Sequence, residues 1–219
     1  MIALKNINKS YAIGREKFYA LKDINLKLYS GEFVAIIGPS GSGKTTLMNI
    51  IGCLDTPDSG EYYIDDENVA KLNDSRLAEI RNCKIGFVFQ RFNLLPRLTA
   101  FENVELPLVY RGLNNNERYE KTMKSIEMVG IIERMKHKPS EMSGGQQQRT
   151  AIARAIAGEP EIILADEPTG NLDSKSGKEI MNILTRLNNQ GKTLMLITHD
   201  KEMAKYAQRI IRISDGKIN

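Results

Sequence analysis

Apolar residues recur along this chain in two rhythms, and the change between them predicts its architecture. Phe33-Val34-Ala35-Ile36-Ile37 and Ile162-Ile163-Leu164-Ala165 are short continuous apolar runs, the pattern of strands covered on both faces. Ile85 to Phe89 and Thr193 to Thr198 are of the same kind. Leu21, Ile24, Leu26 and Leu28 stand among polar residues as an early strand, and Met1 to Lys5 alternates like another. Ser59-Gly60 turns into a strand from Glu61 to Ile64, and Arg209 to Ile213 with Asp215-Gly216 reads as a closing hairpin. From about 91 to 158 the rhythm becomes helical. Thr99-Ala100-Phe101-Glu102 has capping-box spacing, and a second helix is predicted from near Asn116 to Gly130 with Tyr119, Met123 and Ile126 on one face. A third follows Ser143 to Ala157 and is ended by Gly158 and Pro160. Further helices are predicted from near Thr45, from Lys175 to Asn189 behind a cap at Asp173 or Ser174, and from Lys201. Strands and helices of these lengths in alternation predict an α/β core around a mostly parallel sheet, with the helical stretch as an inserted second lobe.

Composition narrows this little, but it excludes several function classes. The 219 residues suit one large domain or one domain with two lobes. Hydrophobic residues are 41% and charged residues 26%, as in ordinary globular proteins. The net charge of +4 is mild and no five Lys or Arg are consecutive, so no nucleic-acid footprint is indicated. Cys53 and Cys83 form no CxxC pair and join no His cluster, which argues against zinc, supports no disulfide and favours reduced thiols. No apolar run approaches the roughly 20 residues that span a bilayer. Met1 to Lys5 also lacks a signal-peptide pattern, so the chain is not expected to cross a membrane by itself. His137 fits no motif and is expected at the surface.

Candidate chemistry begins at Gly38-Pro39-Ser40-Gly41-Ser42-Gly43-Lys44-Thr45, which matches G-x-x-x-x-G-K-[ST] between a buried-strand pattern and a helix start. Glycines let successive N–H groups converge on one anion at a helix N-terminus. Lys44 is then placed to neutralise the β and γ phosphates, and the Thr45 hydroxyl to hold Mg²⁺. Hydrolysis needs carboxylates as well. The run Ile162 to Ala165 delivers Asp166 and Glu167 to the carboxyl end of a strand, where ligands bind in open parallel sheets. Asp166 suits the Mg²⁺ shell, directly or through a water, and Glu167 suits activation of the attacking water. A second anion-binding device follows at Ser143-Gly144-Gly145-Gln146, a hydroxyl and glycine amides at the head of a helix.

That last segment resembles the signature of the ATP-binding-cassette (ABC) ATPases, with Met142 in place of the usual Leu. The resemblance extends along nearly the whole chain. It implies one ABC ATPase domain over 1–219, with 1–90 and 159–219 as a P-loop core carrying N-terminal antiparallel strands and 91–158 as the helical signature lobe. It further implies ATP binding by Tyr11 stacked on adenine and by Gly38, Ser40, Gly41, Ser42, Gly43, Lys44, Thr45 and Thr46. Gln90 would link the metal site to a transport partner, and His199 would contact the γ-phosphate. Two copies are expected to pair head to tail, with Ser143, Gly144, Gly145 and Gln146 of one closing on the nucleotide of the other and the Asp173 loop crossing between them.

The stretches Met48 to Asp55, Gly86 to Pro96 and Pro168 to Asp173 are similar to one subgroup, the ATPases of lipoprotein release and of macrolide and antimicrobial-peptide export. The implied partner is a separate integral membrane permease, gripped near Gln90 to Leu98, and the implied location is the cytoplasmic face of the membrane, with contact through the permease only. Export or efflux is the leading expectation. A mechanotransmission ATPase that switches an external enzyme or sensor without moving cargo is the alternative, and an ABC ATPase acting on nucleic acid or ribosomes is a remote one.

Overall fold

The computed structural model describes residues 1–14 and 16–219. The chain forms two compact units, Met1–Arg81 with Thr193–Asn219, and Asn82–Lys192.

In the first unit, β1 (Ile2–Ile13) and β2 (Glu16–Leu28) form a long antiparallel hairpin, and β4 (Ser59–Ile64) pairs with the other edge of β1. The alternation at Ile24, Leu26 and Leu28 buries one face of β2, as its pattern predicts. β1 runs well past the expected Met1 to Lys5, because register shifts break its alternation between Leu4 and Ser10. Short amides fill those irregularities. Asn25 Oδ1 accepts from the Asn6 N–H at 3.0 Å and Asn8 Oδ1 from the Asp23 N–H at 3.0 Å, at two residues in the left-handed region.

β3 (Phe33–Ile37) lies parallel to β8 (Thr193–Ile197) on one side and β9 (Arg209–Ser214) on the other. The flanking strands explain its unbroken apolar run, since Phe33 to Ile36 are all buried. α1 (Lys44–Ile51) follows β3, and β10 (Lys217–Ile218) closes the unit by a turn in which Asp215 and Gly216 both have positive φ. α7 (Lys201–Ala204) starts at an Asp200 cap, β5 (Glu67–Asn68) extends the β4 edge, and α2 (Asp74–Lys84) leads the chain out of the unit.

The second unit holds a parallel pair, β6 (Ile85–Phe89) and β7 (Ile162–Asp166), and the helices α3 (Ala100–Tyr110), α4 (Asn115–Val129), α5 (Gly144–Ala157) and α6 (Ser174–Asn189). Thr99 and Glu102 form the expected capping box of α3, and Asn114 with Glu117 caps α4 in the same way. The buried face of α4 differs from the expected one. It carries Thr122, Ser125, Ile126 and Val129, whereas Tyr119 is 57% exposed and lies against Phe101. This face packs against α3 and α5. His137 is half-buried, with its Nε2 3.2 Å from Arg134.

Glu159, in the left-handed region at the end of α5, accepts from Lys121 and Lys124 of α4 at 2.6 and 2.7 Å. Those two bonds outweigh partial burial and hold its carboxyl down at about 2. A depressed carboxyl pKa adds stability above the unfolded-state value and loses it as pH falls toward the folded-state value. The denaturant midpoint of the native chain should therefore exceed that of Glu159→Gln by a constant margin above about pH 5 and converge on it between about pH 4.5 and pH 2. A margin that does not narrow on acidification contradicts this account of the clamp.

Candidate functional site

The loop between β3 and α1 is shaped by two glycines that nothing larger can replace. A Cβ on Gly38 would stand 2.1 Å from the Ile213 carbonyl oxygen, and one on Gly43 would stand 2.4 Å from that of Ala20. Gly43 also has φ 104° and is the N-cap of α1, with no side-chain cap and no acidic residue in the first turn. The first helical bond is Leu47 N–H to Gly43 O at 2.8 Å, so the N–H groups of Lys44, Thr45 and Thr46 precede the intrahelical ladder. An uncapped start with no competing carboxylate suits an oxyanion. Lys44 arches back over the loop and donates to Gly38 O at 2.9 Å and Pro39 O at 2.6 Å. Ser42 is buried and its N–H donates to Pro39 O, so it braces the loop; Ser40, Gly41 and Thr45 are exposed. These residues fit a triphosphate.

Two other expected residues belong to this unit. β3 and β8 are parallel, with Ile36 opposite Ile197 and the Thr198 N–H donating to Ile36 O, so His199 emerges at the same sheet edge as the glycine loop. Tyr11, on β1, is 38% exposed. Its phenol donates to Asp55 Oδ2 at 2.9 Å, and Lys9 Nζ lies 5.3 Å from its ring centroid. Burial first, and Asp55 next, push the phenol pKa up. Burial works against ionisation of Asp55, but Lys9, Tyr11 and the Thr56 N–H together hold its carboxyl below the usual range.

In the second unit β6 and β7 are in register, Phe89 opposite Asp166, so Gln90 and Glu167 leave adjacent strand ends. Asp166 and Glu167 are both half-buried. Glu167 has φ 44°, a conformation that costs a non-glycine residue about 1–2 kcal/mol. The turn that holds it is closed by the Gly170 N–H to Glu167 O at 3.0 Å and by Gln148 Nε2 of α5 donating to Pro168 O at 2.7 Å. Strain of this kind, sustained by neighbours at a strand end, points to a side chain aimed for use.

The Gln90 segment is tied down on two sides. Asn171 Nδ2 donates to Gln90 O at 2.9 Å, and a Cβ on Gly170 would stand 2.6 Å from Gln90 Nε2. Arg154 of α5 donates to Asn93 O at 2.6 Å and Phe92 O at 2.9 Å, two residues with positive φ. Sequence reasoning did not single out Arg154; the signal was a lone guanidinium among alanines on a mostly buried helix face.

At the head of α5, Ser143 Oγ accepts from the Gln146 N–H and the Ser143 N–H donates to Gln146 Oε1, a reciprocal cap. Gly144 faces Leu172 and Gly145 faces Ser176, where a Cβ would come within 3.3 and 3.2 Å. Ser143, Gly145 and Gln146 line a concavity of about 490 Å³ together with Arg134, Arg149 and Glu179. Asp173 caps α6, accepting from the Lys175 and Ser176 N–H groups at 3.0 Å. Among the described residues no three His, Cys, Asp or Glu side chains cluster to hold a metal. Mg²⁺ usually shares its shell between substrate phosphates, waters and one or two protein oxygens, for which a hydroxyl and a carboxylate suffice.

A family model described as ABC transporter matches residues 21–170. An uncharacterised ABC transporter ATP-binding protein of Bacillus subtilis, YknY, is 54% identical over 218 residues, covering 100% of this chain and 95% of its own length. The ATP-binding cassette MJ0796 of Methanocaldococcus jannaschii is known in a dimeric post-hydrolysis structure bound to ADP and Pi. That structure matches with a TM-score of 0.93 at 51% identity, covering 100% of this chain and 97% of that one. The macrolide export ATP-binding/permease protein MacB of Bdellovibrio bacteriovorus is 53% identical over 100% of this chain, which spans 33% of MacB.

Replacing Lys44 by Ala removes the ammonium that bonds the Gly38 and Pro39 carbonyls of the loop. Titration calorimetry should show ATP affinity reduced about 10- to 100-fold, the worth of one charge-assisted hydrogen bond. Unchanged affinity would remove Lys44 from the phosphate site.

Proposed function

We propose, for a chain that belongs to the ABC transporter family, that it drives export through a separate integral membrane permease by ATP-dependent closure and opening of a head-to-tail homodimer. The chain is an ATP hydrolase. The observation that carries the proposal is the presence in one polypeptide of two glycine-bearing helix starts, the uncapped N-terminus of α1 and the head of α5 beside its concavity, where the Ser143 cap takes the Gln146 N–H and leaves the Gly144 and Gly145 N–H groups outside it. In this proposal the second serves a nucleotide held by another copy, which the dimeric form of the similar MJ0796 cassette supports.

In this reading the Gly38 to Gly43 loop, the first-turn N–H groups of α1 and Lys44 bind the β and γ phosphates, and Tyr11 stacks on the adenine. Thr45, Gln90 and Asp166, the last through a water, would hold Mg²⁺, which when bound neutralises charge on the β and γ oxygens. Glu167 accepts the proton of the attacking water, and His199 contacts the γ-phosphate. Ser143, Gly144, Gly145 and Gln146 close on that phosphate from the partner copy, with the Asp173 loop crossing beside them.

ATP therefore holds two copies together, and its cleavage lets them part. The proposal places 91–158 as the signature lobe, with the surface near Gln90 to Leu98 receiving the permease at the cytoplasmic face. MacB, an ATP-binding/permease protein, supports a permease partner, because this chain spans only a third of it. Among the described residues no helix is long and apolar enough to cross a membrane.

Glu167→Gln retains ATP binding but loses the proton acceptor, so hydrolysis should fall at least about 100-fold. Light scattering at saturating ATP should then show a stable dimer. A variant that stays monomeric with ATP bound, or that hydrolyses ATP normally, would contradict the proposed role of Glu167.

A further inference from the structure

We infer that Asp55 is a positioning residue for the nucleobase, fixing the ring of Tyr11 at a set distance from the phosphate loop. The inference rests on the reading that Tyr11 stacks on adenine.

Tyr11 stands on a partly exposed strand, where packing alone does not hold a ring in one orientation. Its hydroxyl donates to Asp55 Oδ2 at 2.9 Å and also meets the Thr46 side chain in the first turn of α1. The other carboxylate oxygen is already committed, because Oδ1 accepts from the Thr56 N–H at 2.8 Å and from Lys9 Nζ at 2.6 Å. Lys9 also donates to Thr56 O at 2.8 Å, so the carboxylate is braced from two directions and Oδ2 has one defined task.

Asp55 is in turn suspended from the end of α1. The Leu54 and Asp55 N–H groups both donate to Asn49 O, at 2.8 and 3.2 Å. The helix that offers its N-terminus to phosphates thus holds, at its far end, the carboxylate that grips the aromatic ring. A tether of this kind sets the spacing of the two ends of one ligand, so that stacking and phosphate binding reinforce each other. Asp55 touches neither end itself.

The test is calorimetric titration of the full chain with ATP in EDTA, which prevents hydrolysis, and with inorganic tripolyphosphate, which lacks the base. Asp55→Val and Tyr11→Phe should each weaken ATP binding about three- to tenfold, part of the worth of one hydrogen bond to a carboxylate, since the ring itself stays in place. Their combination should be no weaker than either alone, and tripolyphosphate affinity should stay at the native value. Asp55→Asn should restore ATP binding, since its Oδ1 still serves Thr56 and its Nδ2–H faces the phenol oxygen.

Native ATP affinity in Asp55→Val overturns the inference. So do equal losses for ATP and tripolyphosphate, or additive losses in the double variant. Tyr11→Ala separates the two levels. Native ATP affinity there removes the stacking reading itself, whereas weak binding in Tyr11→Ala with native binding in Asp55→Val removes only the role of Asp55.

Discussion

The structure depends on keeping one helix start uncapped. α3, α4, α5, α6 and α7 each begin with a side chain that accepts from the first-turn N–H groups, while α1 begins at Gly43 with none. With glycine at the cap position, leaving these donors without a side-chain partner forgoes only about a few tenths of a kcal/mol of capping stabilisation. The surrounding unit holds the loop in place through backbone contact rather than side-chain bonds. Gly38 fits against Ile213 O, Gly43 against Ala20 O, and the Gly216 N–H donates to Ser42 O at 3.1 Å. Strands β2, β9 and β10 and the turn between the last two thereby set the curvature of an anion cradle.

The second unit solves a different problem, which is to hold the polar residues Gln90, Asp166 and Glu167 at strand ends without letting the intervening loops relax. Gln148, Arg154 and the α5 head all reach from one helix to the loops that follow β6 and β7. Each donates to a backbone carbonyl or caps its own start, so α5 acts as the common support of the Gln90 segment, the Glu167 turn and the Ser143 motif. A shift of α5 would move all three.

What could be read in the sequence was what local physics dictates. Continuous apolar runs gave β3, β6, β7 and β8, capping-box spacing gave the start of α3, and Ser143 ahead of a helical pattern gave that of α5. The glycine loop was legible because a backbone cradle tolerates no side chain at Gly38 or Gly43. The rest depended on distant partners. Arg154 bonds carbonyls more than sixty residues away, at positions whose positive φ no pattern announces. The buried face of α4 is the one that packs against α3 and α5, and it carries Thr122 and Ser125 rather than Tyr119. The full length of β1 was hidden by shifts that Asn8 and Asn25 satisfy from outside the alternation.

The proposed dimer requires that the open start of α1 in one copy and the head of α5 in another share a single nucleotide. Mixing two inactive chains, Lys44→Ala and Ser143→Arg, tests it most directly. A mixed dimer then contains one composite site in which both groups are native. If the nucleotide is shared, hydrolysis in the mixture rises well above the sum of the separate chains; no gain at any ratio, with mixed dimers demonstrated by affinity tags, would contradict it.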